Sequence, residues 1–134
     1  GKMILKANLS KIGLMEDELF IDGVDHEWCW RARKKGYLIL VSSVTMVHTL
    51  GDSRLNVIGY NIRVGSPSRL YYQYRNYLLL VRRSYVPNYW KIRNFIGYCL
   101  KPFVFILLKE RKDRMKYIVK GLYDGARKRS GKIS

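Results

Sequence analysis

Six of the chain's ten carboxylates fall within twelve positions: Glu16, Asp17, Glu18, Asp22, Asp25 and Glu27. The rest of the sequence is strongly basic, with 26 Lys and Arg in 134 residues. Like charges at that density repel, so the cluster points to a bound cation, a polyhydroxyl ligand or a general base with a tuned pKa. Glu16 and Asp17 read as acids decorating a helix start. Asp25 and Glu27 read differently, because they stand where a loop gives way to a helix and are followed by Trp28 and Trp30. Indole faces beside carboxylates suit a sugar, whose apolar face stacks on the ring while its hydroxyls bond to the acids. One of the two tryptophans is expected to be core instead. His48 closes an apolar run, where a histidine is a packed residue or a metal ligand. His26 fits a solvated helix position.

Short elements must position these residues. Met3-Ile4-Leu5 reads as a strand, Ala7 to Ile12 as a brief helix ended by Gly13, and Leu19-Phe20-Ile21 is another short apolar segment closed by Asp22-Gly23. Asp25 to Lys35 reads as a helix with acids in its first turn, cations in its last and Gly36 beyond its end, matching the helix dipole and a glycine cap. Tyr37–Val41 and Val44–His48 read as two more strands, and Gly51–Gly65 as a long mobile loop. At Ser66-Pro67 the character changes to helix. One helix is predicted from Arg69 to Arg83. A second starts near Asn88 and is kinked or interrupted at Pro102, and a third runs from Glu110 to Lys128. The tail from Ser130 is expected to fray.

The charge divides the chain at the same point. Residues 1–65 carry 9 basic and 7 acidic side chains, whereas residues 66–134 carry 17 and 3, a net of +14. Cys29 and Cys99 stand far apart with no CxxC pair, which argues against a zinc module or a disulfide framework and fits a reducing, cytoplasmic setting. Phe95 to Leu108 is the most apolar stretch, but it is shorter than the roughly 20 residues a membrane span needs and contains Lys101 and Pro102. Two readings fit residues 69–128: an anionic membrane surface met by aromatics and cations, or a helical hairpin with a solvated basic face. Nucleic acid is a weak third partner, because no helix-turn-helix, zinc, RRM or KH signature occurs and the acid cluster would repel phosphate.

The run Leu19-Phe20-Ile21-Asp22-Gly23-Val24-Asp25-His26-Glu27-Trp28-Cys29-Trp30-Arg31-Ala32, followed by Gly36-Tyr37, His48 and Gly51, resembles the acceptor-side signature of family-2 glycosyltransferases, in particular the bacterial rhamnosyltransferase branch. Weaker likeness continues through Arg69–Asn76 and Lys120–Gly125. The resemblance implies an α+β fold: the acceptor-side half of a GT-A domain in residues 1–65, followed by a basic, aromatic helical region in 66–134. It implies Asp25 as the catalytic base of an inverting transfer, with Asp22, Glu27, Trp28 and Trp30 binding the acceptor. His48 would complete a Mg²⁺ or Mn²⁺ site. The implied donor is a nucleotide sugar, dTDP-rhamnose by branch likeness, and the acceptor a cell-surface polysaccharide or lipid-linked glycan at the inner face of the cell membrane. No Asp-x-Asp element occurs, so the metal and donor would be held mainly by an N-terminal half outside this sequence. The chain alone is then expected to be inactive and prone to self-association through an exposed sheet edge. The competing expectation is a non-catalytic membrane-associated remnant.

Overall fold

A computed structural model describes residues 3–41, 43–45, 53–57, 60–64, 66–106 and 111–133. Five helices dominate it: α1 (Lys6–Ile12), α2 (Val24–Lys34), α3 (Pro67–Val81), α4 (Asn88–Ile106) and α5 (Arg111–Ala126). A short 3-10 turn at Asp17–Leu19 precedes α2. One antiparallel hairpin, β1 (Ser53–Val57) with β2 (Tyr60–Val64), pairs Leu55 with Ile62 and Val57 with Tyr60.

The α+β expectation is therefore corrected, among the described residues, to a helical architecture with one hairpin. A strand needs a neighbour to take its backbone groups, and the segments read as strands have none among the described residues. The short apolar segment Leu19-Phe20-Ile21 forms no strand either: Leu19 ends the 3-10 turn, and Phe20 adopts a φ of 60°, outside the β region. Met3–Leu5 leads directly into α1, and Tyr37–Val41 belongs to no ladder. Of Val44–His48 only Val44 and Thr45 are described, and neither is in a strand. The hairpin occupies the segment expected to be a loop.

The helical expectations fare better. Gly13 (φ 102°) and Gly36 (φ 83°) stand just past α1 and α2, and Pro67 opens α3 behind the Ser66 cap position. The helix α4 runs through Pro102 without a break. Proline has no N–H, so it leaves the carbonyl four residues earlier without its helical donor. That carbonyl belongs to Tyr98, and the Tyr74 hydroxyl of α3 donates to it at 2.8 Å. The hydrogen bond lost inside α4 is thus replaced from its neighbour.

The core of the helical part is the pairing of α3 with α5. Gly121 and Gly125, one turn apart, let the two backbones touch. A Cβ at Gly121 would lie 2.5 Å from the Tyr71 carbonyl oxygen, and one at Gly125 would lie 2.9 Å from that of Arg75. Both contacts advance together along the two chains, so α3 and α5 run parallel. A parallel pair needs a crossover as long as the helices, and the 19-residue α4, ~28 Å at 1.5 Å per residue, returns antiparallel between them. Tyr77 on α3 accordingly donates to the Lys91 carbonyl near the start of α4, and Tyr74 to Tyr98 further along it. Leu70, Tyr74, Phe105 and Ile118 fill the space between the three helices.

The tail expected to fray instead returns to the acidic loop. The Gly131 N–H donates to the Glu18 carbonyl at 2.7 Å, Arg75 donates to the Gly131 carbonyl, and the Ile133 N–H donates to the Tyr72 hydroxyl.

Candidate functional site

The acid-bearing loop has an unusual backbone. Phe20 (φ 60°), Asp22 (φ 55°) and Gly23 (φ 92°) all lie in the left-handed region, which costs energy for residues with a Cβ. Such a loop persists only if its surroundings fix it. Here two buried residues of α3 do so. The Asn76 amide donates to the carbonyls of Leu19, Ile21 and Asp22, and the Arg75 guanidinium donates to those of Glu18 and Leu19. Arg75 is itself braced by Asn76 at 2.9 and 3.0 Å and lies over the rings of Tyr71 and Tyr72. At Gly23 a side chain would be strained by the positive φ and would press on Leu80 at 3.1 Å.

This clamp delivers the chain into α2 with Asp25 in the first turn, where the helix dipole favours a carboxylate. Asp25 and His26 are exposed there. Four acids of the cluster, Glu16, Glu18, Asp22 and Glu27, are engaged by arginines. Asp22 receives Nε and Nη2 of Arg69 at 2.9 Å each. Glu27, fully buried, accepts from Arg31 at 2.9 and 3.1 Å and from the Tyr85 hydroxyl at 2.7 Å, with Arg83 at 3.3 Å. Arg83 also pairs with Glu16 and, at 3.3 Å, with Glu18. Burial first, and then the hydrogen bond to Glu27, push the Tyr85 phenol up to about 12, so it remains a donor at neutral pH. Burial opposes the charge on Arg83, but the hydrogen bonds it donates to Glu16 and Tyr85 outweigh that and hold its guanidinium above its ordinary value.

The two tryptophans separate. Trp28 is 4% exposed, packs with Ile12 and Ala32, and donates its indole N–H to the Gly13 carbonyl at 2.8 Å. Trp30 is half-buried, set edge-on to Trp90 at 4.8 Å, and the His26 ring lies 5.7 Å from it. The structure thus brings His26 against Trp30, as their i,i+4 spacing requires. His48 lies outside the described residues. Among the described residues no three His, Cys, Asp or Glu side chains stand together as a metal site.

Beyond Trp30 the rings continue as a file: Trp90 to Tyr77 at 5.9 Å, Tyr77 to Tyr98 at 5.0 Å, then the Lys101 ammonium 4.7 Å above the Tyr98 ring. Sequence reasoning assigned none of Trp90, Tyr77, Tyr98, Lys101 or the Asp22 partner Arg69 to the site. The spacing of Tyr74 and Tyr77, and of Tyr98 and Lys101, marks shared helix faces. What each face meets depends on a fold the spacing does not reveal.

On its outer side α4 presents Ile92, Phe95, Ile96, Leu100 and Phe103, all more than half exposed. Among the described residues no helix is long and apolar enough to cross a membrane.

No family model matches the sequence, and no solved structure matches it. Among curated proteins the chain is 36% identical over 129 residues to the dTDP-rhamnosyl transferase RfbF of Shigella flexneri. That alignment takes in 95% of this chain and 44% of the relative, so the chain spans less than half the relative's length.

Proposed function

We propose that this chain is the acceptor-side part of an inverting family-2 glycosyltransferase that moves a rhamnosyl group from dTDP-rhamnose to a hydroxyl of a polysaccharide or lipid-linked glycan. The likeness to a dTDP-rhamnosyl transferase supports the donor class. The observation that carries the catalytic assignment is the difference in exposure among the acids: Asp25 is exposed at the N-terminus of α2, while Asp22 is partly buried and Glu27 fully buried. In the transfer, Asp25 takes the proton of the acceptor hydroxyl as its oxygen bonds to the anomeric carbon. The carbon–oxygen bond to the nucleoside diphosphate breaks, and the diphosphate leaves with the electron pair. Trp30 and the Asp22–Arg69 pair contact the acceptor, whereas the buried Glu27 and Trp28 are positioning residues that fix α2.

Among the described residues no three His, Cys, Asp or Glu side chains form a metal set. We assign the Mg²⁺ or Mn²⁺ of this enzyme class, and the donor nucleotide, to a preceding donor-binding part, with His48 as this chain's contribution. Without that part the chain is expected to transfer nothing.

We assign the exposed apolar face of α4 to the anionic inner leaflet. The argument is charge complementarity: the face belongs to the half of the chain with a net charge of +14, and cations beside an anionic surface contribute about 1 kcal/mol each. Vesicle co-sedimentation tests it. Binding to phosphatidylglycerol but not phosphatidylcholine, lost in Phe95→Ser/Phe103→Ser, is the expected result. Oligomers that anionic vesicles fail to dissociate would hand the face to a second copy of the chain instead.

The catalytic assignment is tested with Asp25→Asn in the enzyme complete with its donor-binding part. Transfer is expected to fall by about a hundredfold to ten-thousandfold with donor affinity unchanged. Undiminished transfer would remove Asp25 from the role of base.

A further inference from the structure

We infer that residues 128–133 form a strap that positions the loop delivering Asp25, with Gly131 and Arg75 as its positioning residues. The chain leaves α5 through a built reversal. The Lys128 N–H donates to the Gly125 carbonyl at 3.2 Å and the Arg129 N–H to that of Asp124 at 2.9 Å, the paired bonds of a helix C-cap that turns through a left-handed residue. Lys128 is that residue (φ 60°), and Gly131 (φ 80°) makes a second left-handed turn beyond it.

These turns bring the strap to the loop at two points. At the first, three groups close a ring. The Gly131 N–H donates to the Glu18 carbonyl at 2.7 Å, and the Arg75 guanidinium donates to that same carbonyl at 3.1 Å and also to the Gly131 carbonyl. Arg75 is fully buried, so its N–H groups need acceptors in place of water. The loop supplies the carbonyls of Glu18 and Leu19, and the strap supplies that of Gly131. At the second point, the Ile133 N–H donates to the Tyr72 hydroxyl at 2.9 Å, and the Tyr72 ring lies 5.1 Å from that of the left-handed Phe20. Strap and loop therefore share Arg75 and Tyr72 of α3. Release of the strap takes an acceptor from a buried cation, and water drawn in to replace it competes for the carbonyls that fix the loop. The link to Asp25 rests on the transferase reading; the strap itself does not.

Gly131 is a selective probe, because a Cβ there meets nothing within 4 Å. A side chain at this position acts only through the positive φ, which a β-branched residue resists and asparagine tolerates. Hydrogen exchange of the 134-residue chain is the first test. Gly131→Val is expected to speed exchange of the hydrogen-bonded Leu19, Phe20 and Ile21 amides at least about tenfold, with α3 and α5 unchanged, while Gly131→Asn stays near the unaltered rate. Tyr72→Phe, which removes the acceptor for Ile133 and keeps the ring, is expected to speed the same amides severalfold. It replaces Gly131→Val should circular dichroism show that variant unfolded. In the enzyme complete with its donor-binding part, Gly131→Val is expected to lower single-turnover transfer severalfold with the donor KM unchanged, and Gly131→Asn to restore it. Unchanged exchange in the folded Gly131→Val variant, or equal acceleration in α3 and α5, overturns the strap. Faster loop exchange with transfer unaltered overturns its positioning role. Undiminished transfer by Asp25→Asn, in contrast, overturns the base assignment alone and leaves the exchange result standing.

Discussion

Between Phe20 and Gly23 three of four residues take left-handed backbone and are held in place by side chains reaching from α3. Further along the chain, α3 and α5 meet backbone against backbone across Gly121 and Gly125, with no room even for a methyl group. The loop has no ladder of its own and borrows its shape. The helix pair is self-sufficient and lends it. Asp25, at the end of the borrowed loop, therefore depends on residues fifty positions away that touch no ligand in the proposed reaction. Damage to the pair should unfold the molecule, whereas damage to the clamp should first disorder the site.

Gly121→Val breaks the pair most directly. Its Cβ would meet the Tyr71 carbonyl at 2.5 Å, so one backbone must move, at a cost of about 3 kcal/mol or more. A fall of several degrees in the unfolding midpoint, or insoluble protein, is the expected outcome. Asn76→Ala strikes the clamp. It strips a donor group from three carbonyls, costs about 1–3 kcal/mol, and should raise hydrogen exchange at Leu19–Gly23 well before that in α3 or α5. Uniform exchange in all three regions would show that the loop is no more dependent on α3 than the helices are.

The smallest effect is the alkaline limb of stability. The Tyr85 phenol has its folded pKa raised above the ordinary 10 to about 12, so its protonated form favours the fold. That contribution is complete below pH 10 and is lost as pH rises towards 12. Tyr74 and Tyr98 act in the same sense. Tyr85→Phe should therefore flatten part of the decline of the melting temperature in that window, while lowering stability at neutral pH because Glu27 loses a donor.

The helices were legible in the sequence because their ends are local chemistry: Ser66-Pro67 at a start, and Gly13 and Gly36 just past an end. Short apolar runs were not. Leu19-Phe20-Ile21 has strand composition, but Leu19 is buried with Leu80 and Val86 while Phe20 turns left-handed, an outcome decided by α3. The hairpin was missed although Leu55/Val57 and Tyr60/Ile62/Val64 alternate around Gly59, a period-2 signal diluted by polar neighbours. Within the site, the acids could be found by composition alone. That Glu27 is buried while Asp25 is exposed could not, because the deciding partners, Arg83 and Tyr85, come from a different part of the chain. The apolar Leu38, Leu40 and Val41, each more than four-fifths exposed, show where composition expected burial that the described residues do not provide.

The central claim is that Asp25, the exposed carboxylate of α2, takes the acceptor's proton. The direct measurement is single-turnover sugar transfer by Asp25→Asn in the enzyme complete with its donor-binding part, alongside the unfolding midpoint of the same variant. The account predicts transfer reduced by at least about a hundredfold with a midpoint within about 0.5 kcal/mol of the unaltered protein, as for an exposed substitution. Transfer at the unaltered rate would contradict it.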